Sequence, residues 1–219
     1  MVSNFDFLKK DFPVLSNFGK MAEKYCYSDS NSCLMKLGMI GETIVNLMFT
    51  YDRIAFPHDN TAVARIDTLS REGLLTSDLV TILHGLRKVR NKAVHENYAS
   101  IADDKIFLPM AHSLCEWFMQ TYGDWNYSHR DFVMPEENTV SGTVDKEAEE
   151  KKESELTKLA EQMAAAAPII EQTERKKQAY KAANQRPKTE AETRFLIDEQ
   201  LRMVGWDADT ENLRYSKGT

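Results

Sequence analysis

The residues best equipped for chemistry lie together in one stretch, LHGLRKVRNKAVHENY, residues 83–98. Wound as a helix at about 100° per residue, it brings His84, Asn91 and His95 within a few tens of degrees of one another. Arg87 and Lys88 flank them, and Arg90 borders the apolar stripe. Imidazole changes charge near neutral pH, so such a ridge can pass protons. Guanidinium and ammonium groups bind phosphate oxygens. A merely solvated face carries Glu and Lys more often, so this one points to a partner or ligand. Arg87, Lys88, Arg90 and Lys92 are the candidate nucleic-acid contacts.

The elements that must position this ridge are helices. Leu79, Ile82, Leu86, Val89 and Ala93 recur at three and four, which predicts a helix from about Ser77 to His95, with Thr76, Ser77 and Asp78 as N-cap candidates. Leu34, Leu37, Gly41, Ile44 and Met48 predict another from about Ser32 to Tyr51. Leu108, Ala111, Leu114, Cys115, Phe118 and Tyr122 mark a third. Shorter helices fall near Phe18 to Tyr25 and near Val63 to Arg71, the latter closed by Gly73. No convincing two-residue alternation appears. The fold class expected is an all-α bundle.

Composition narrows the function. The chain has 219 residues, 42% hydrophobic and 28% charged, with a net charge of −6. That charge argues against a surface built throughout to grip nucleic acid; any contact must be local. No apolar run approaches the roughly 20 residues a bilayer span needs. Residues Met1 to Lys10 are too polar for a secretory signal. Cys26, Cys33 and Cys115 form no CxxC pair and read as buried thiols of a reducing, cytoplasmic compartment. His58, His112 and His129 lack zinc-ligand spacing, so no metal or other cofactor is expected in this chain. Glu42, inside an apolar helix, should be half-buried and paired with Arg87 or Arg90. Trp117, Trp125, Tyr122 and Tyr127 should seal the bundle's end, with a base-stacking platform as the alternative.

Three regions follow: a bundle over 1–134, a charged helical linker over 135–186, and the opening of another domain over 187–219. In the second, Glu147 to Ala167 combines helix formers with opposite charges and reads as a solvated spacer or coiled-coil arm, ended by Pro168. In the third, Thr189 and Glu192 match a capping box, and Phe195, Leu196, Leu201 and Val204 form an apolar face. Gly205 should stop that helix, with Trp206 packing back on it. Asn212 to Tyr215 reads as an extended segment in want of a sheet, as in a domain cut off soon after it begins.

Two resemblances sharpen these expectations. The spacing Arg90-Asn91-x-x-x-His95 resembles the RNxxxH motif of the HEPN superfamily. In its nuclease members, arginine and histidine from two paired protomers converge on an RNA phosphate. The resemblance therefore implies a homodimer in which His95 takes a proton from a ribose 2′-hydroxyl, Arg90 stabilises the phosphorane charge and Asn91 orients either group, without a metal. On one helix Arg90 and His95 stand about 140° apart, so a second protomer or a frayed helix is required.

More widely, MKLGMIGETIVNLMF, ARIDTLSREGLL and HGLRKVRNKAVHE resemble the HEPN-related domain at the front of type I restriction R subunits. Members of that group often have glycine at the position of Arg90, which favours a binding or assembly role over RNA cleavage. KTEAETRFLIDEQLRMVGWDADTENLRYSKGT is similar to the opening of that subunit's PD-(D/E)xK endonuclease domain, where Glu192 matches an acidic helix residue. These resemblances imply the N-terminal part of a DNA-cleaving subunit that works with modification and specificity subunits on DNA, using ATP and Mg2+ elsewhere in the protein. No GxxxxGK[ST] motif occurs here.

Overall fold

A computed structural model describes residues 2–137 and 146–206. Apart from a short 3-10 turn, Asp6–Leu8, the secondary structure is eight α-helices among the described residues: α1 Pro13–Tyr25, α2 Ser30–Tyr51, α3 Ala62–Arg71, α4 Ser77–Glu96, α5 Ile101–Tyr122, α6 Lys146–Ala166, α7 Gln172–Gln185 and α8 Glu190–Met203. The protein is all-α. Two units are distinguished, Met1–Pro187 and Lys188–Thr219.

Helix α2 is the axis of the first unit. Leu34, Leu37, Ile40, Ile44, Leu47 and Met48 are buried, which apolar residues on more than one helix face demand. It meets α1, α4 and α5. By length and composition it could cross a membrane, although no long unbroken apolar run exists; its apolar residues lie within the bundle instead. Caps set the boundaries. Asp29 accepts from Ser32 N at 3.1 Å to start α2, and Thr61 accepts from Ala64 N at 3.2 Å to start α3. Thr76 occupies the N-cap of α4 in extended backbone but makes no side-chain cap bond. Gly73 takes φ +69 after α3, and Asn97 takes φ 49 at the end of α4; both are left-handed positions that close helices.

Helix α5 starts earlier than the apolar spacing suggests. Ser100 caps it by accepting from Asp103 N at 3.1 Å, so the helix is already running when it reaches Pro109. Proline there forgoes one amide bond, and burial of nearly every later residue of α5 compensates.

The charged segment is where structure and sequence part. Helices α6 and α7 pack on the bundle instead of standing in solvent, and the first unit runs through Pro187. Both carry small residues where they are buried: Ala160 and Ala164 on α6, Ala179, Ala182 and Ala183 on α7. Alanine offers little burial energy, so apolar patterning hides this face; polar partners complete it. Lys36 Nζ lies 2.8 Å from Glu149 and also pairs with Glu153, while Tyr25 donates to Glu149 at 2.9 Å. Arg53 donates to the carbonyls of Ala164, Ala165 and Ala167, completing the end of α6 just before Pro168. On α7, Ala179 O accepts from Trp117 Nε1 at 3.0 Å.

The second unit contains α8. Thr189 caps it by accepting from Glu192 N at 3.1 Å, and Gly205, φ +85, ends it. Trp206 N donates to Leu201 O at 3.0 Å, yet the indole is 70% exposed and does not pack back on the helix as expected; the left-handed turn returns the backbone but not the ring. The extended segment expected at 212–215 lies outside the described residues.

Candidate functional site: an arginine-lined cleft between α2, α3 and α4

Helix α4 buries Leu79, Ile82, Leu86, Val89 and Ala93, which turns Arg87, Arg90 and Asn91 toward one flank, because residues three and four apart share a face. On that flank α4 crosses α2 at two glycines. A Cβ built on Gly38 would overlap the Arg90 Cβ, and one on Gly41 would sit 3.4 Å from Leu86. Glycine at 38 therefore lets Arg90 lie across α2 and reach Glu42 one turn along, with Nη1 and Oε2 3.0 Å apart. Both partners are half-exposed, at 36% and 40%, so this ion pair fixes geometry more than it stabilises the fold.

Helix α3 supplies the third wall. Arg65 donates to Asn46 Oδ1 at 2.7 Å, to Asn60 Oδ1 at 2.8 Å and to Asn60 O at 3.1 Å, and its guanidinium lies 5.5 Å from the Phe56 ring centre. These bonds hold the guanidinium in one orientation. Between the helices is a cavity of about 370 Å³. Val45, Ile66 and Leu83 form its apolar wall, and Val63, 39% exposed, stands at the rim. Asn46, Asn91 and Thr61 add amide and hydroxyl groups. Arg65, Arg87 and Arg90 face a single carboxylate, Glu42, so the cleft carries a surplus of two positive charges inside a chain of net charge −6. Arg87 has no hydrogen-bond or ion-pair partner among the described residues, and its Nε is buried.

The ridge read from the sequence is thus divided. Arg87, Arg90 and Asn91 line the cleft; Lys88, Lys92 and His95 do not. His84 is half-buried and turns toward α3, its Nε2 3.8 Å from Asp67. Lys92 lies over the Tyr98 ring at 5.3 Å, and His95 is exposed in the last turn of α4. Glu42 has the arginine partner expected of it. Arg65 went unrecognised, since only the packing of α3 brings it to α4; its place on an amphipathic helix five residues after Asn60 was the available signal.

Other polar side chains are structural. Asp52 and Arg175, each with a 2% exposed side chain, pair at 3.1 Å; Tyr122 donates to Asp52 at 2.6 Å, and burial, with Asp52 next to it, pushes the Tyr122 hydroxyl well above its ordinary range. Buried Glu116 accepts from Tyr127 Oη at 3.1 Å and Arg130 N at 2.8 Å, and lies 3.0 Å from His129 Nδ1. His112 is also buried, against Phe5, Phe7 and Phe132, and burial lowers its pKa. Trp117, Tyr122 and Tyr127 are spoken for in these contacts, as is Trp125, which donates to Thr121 O at 3.1 Å; they offer no open stacking platform. No group of three metal-ligating side chains occurs among the described residues.

The chain is 27% identical, over 271 residues, to the type I restriction enzyme EcoKI endonuclease subunit of Escherichia coli (strain K12), an alignment covering 99% of this chain and 23% of that protein. The chain therefore spans about a quarter of the length of that relative, to which it is related by sequence. No solved structure matches it. Residues 20–158, more than half of the chain and all three walls of the cleft, match the family described as Domain of unknown function (DUF4145), and the protein belongs to that family.

Proposed function

We propose that this chain is a helical module of the DNA-cleaving, ATP-dependent R subunit of a type I restriction enzyme, serving there in assembly or nucleic-acid contact and not in catalysis. One observation carries the reading: the alignment with the EcoKI endonuclease subunit takes in nearly the whole chain. Supporting it, α4 carries Arg87 and Arg90 at the cleft and Lys88 and Lys92 outside it, a local concentration of cations on an acidic protein that suits a phosphate-bearing partner. Partners on this reading are the modification and specificity subunits and, in the full complex, DNA, in the cytoplasm. ATP and Mg2+ are used elsewhere in the subunit. The segment from residue 187 onward opens its nuclease domain, and the bundle is of HEPN type. Replacing Arg87 and Lys88 by Glu in the complete enzyme tests this. Assembly or DNA binding should weaken, and restriction at wild-type level would reject the proposal.

A second reading, metal-independent RNA cleavage, draws on the exposure of His95, which leaves that imidazole open to a second copy of the chain. It requires Arg90 to leave Glu42. The purified chain should then dimerise and cut single-stranded RNA in EDTA, and His95→Ala should abolish cleavage. A monomer without cleavage ends this alternative.

A further inference from the structure

We infer that the cleft between α2, α3 and α4 binds a nucleoside phosphate, seating the base against Val45, Ile66 and Leu83 and the phosphate between Arg87 and Arg90. The inference deepens the nucleic-acid reading above by naming its ligand and pocket. Three features lead to it. The cavity, about 370 Å³, falls within the range of small-molecule clefts, roughly 300–1,000 Å³. One wall is aliphatic and nearly closed to solvent, with Val63 at the mouth, which suits a flat ring. The opposite side is cationic, and two of its three guanidiniums are already held: Arg65 by Asn46 and Asn60, Arg90 by Glu42.

Arg87 decides the ligand's charge. The Arg87 Nε is buried without an acceptor, so that atom has given up water and gained no partner, and a bidentate oxyanion completes the half-buried guanidinium. The surplus of two positive charges matches a phosphate monoester dianion, or a diester with its neighbour. A small carboxylate such as acetate would satisfy Arg87 but would leave the aliphatic wall uncovered. Asn46 and Asn91 stand where amide groups can meet the polar edge of a base. Glu42 sets the threshold for binding. It holds Arg90 ready in the absence of ligand and opposes an anion that does not engage Arg90 in its place.

The test uses the whole chain with adenosine 5′-monophosphate, adenosine, inorganic phosphate and a fluorescein-labelled oligothymidylate in calorimetry and anisotropy titrations. The monophosphate should bind at least tenfold more tightly than either of its parts. Arg87→Met should weaken it about tenfold or more, Ala62→Trp should abolish it by filling the cleft, and Glu42→Gln should tighten it. Circular dichroism verifies that each variant folds. If the oligonucleotide binds and Ala62→Trp blocks it, the ligand is a nucleotide within a strand; if only the monophosphate binds, it is a free nucleotide. Absence of binding by both, or binding indifferent to Arg87→Met and Ala62→Trp, overturns the inference. Lys88→Glu with Lys92→Glu, both outside the cleft, separates the two proposals. Failure of that pair to alter the restriction complex sinks the module reading while nucleotide binding persists. Loss of nucleotide binding alone leaves the module reading standing.

Discussion

Arg175→Leu should be the most damaging single change in the charged segment. In the folded chain the Arg175 guanidinium and the Asp52 carboxylate are each 2% exposed and 3.1 Å apart. The guanidinium also lies 4.3 Å from the Tyr122 ring centre and donates to Thr121 O. Leucine replaces much of the arginine's apolar stem but leaves Asp52 charged in a nearly dry site with the Tyr122 hydroxyl as its remaining side-chain donor. Stranding one member of a buried ion pair costs about 3–5 kcal/mol. For a chain of this size, with about 2–4 °C lost per kcal/mol, the melting temperature should fall by about 6–20 °C. Removing both charges, Asp52→Leu with Arg175→Leu, should be less harmful than the single change, because a buried pair roughly breaks even against apolar packing. Thermal and urea unfolding followed by far-ultraviolet circular dichroism measures both. A loss below about 1 kcal/mol for Arg175→Leu would mean that the pair behaves as a solvated one. Helix α7 would then not be integral to the first unit.

The buried acid of α5 and the α2–α4 crossing give further outcomes. Asp104 is buried, and burial is the main reason its carboxyl is pushed up to about 6 from an ordinary 3.8. The folded chain thus holds this proton longer than the unfolded one, and the residue's contribution to stability declines as pH rises from about 4 to 6, then levels off. Asp104→Asn should gain on the wild type across that window, by up to about 3 kcal/mol at neutral pH; a difference independent of pH contradicts this. Gly38→Ala offers a contest of magnitudes. Helix propensity favours alanine by about 1 kcal/mol, but the overlap with Arg90 Cβ forces α2 and α4 apart at a cost of about 1–3 kcal/mol. Net destabilisation is expected in urea unfolding, and a gain would show that the helices do not cross there. The same variant should weaken nucleotide binding by shifting Arg90 out of its place in the cleft.

Much of the bundle was legible in the sequence because helix formation and capping are local. Three-and-four spacing in residues 32–51 and 77–95, Gly73 at a left-handed turn and Thr189 as a cap need no knowledge of distant residues. The cations of α4 were legible for the same reason, as was the need of Glu42 for an arginine. Which of those cations share a pocket was decided by tertiary structure: Gly38 and Gly41 set how closely α2 and α4 approach, and α3 then delivers Arg65 from another part of the chain. The fate of α6 and α7 was likewise non-local. The apolar part of their buried faces is alanine, and they are held by Lys36, Asp52 and Trp117, whose positions only the folded bundle defines. Periodicity reports which face of a helix is apolar; it carries no information about a face whose partners are single side chains more than sixty positions away.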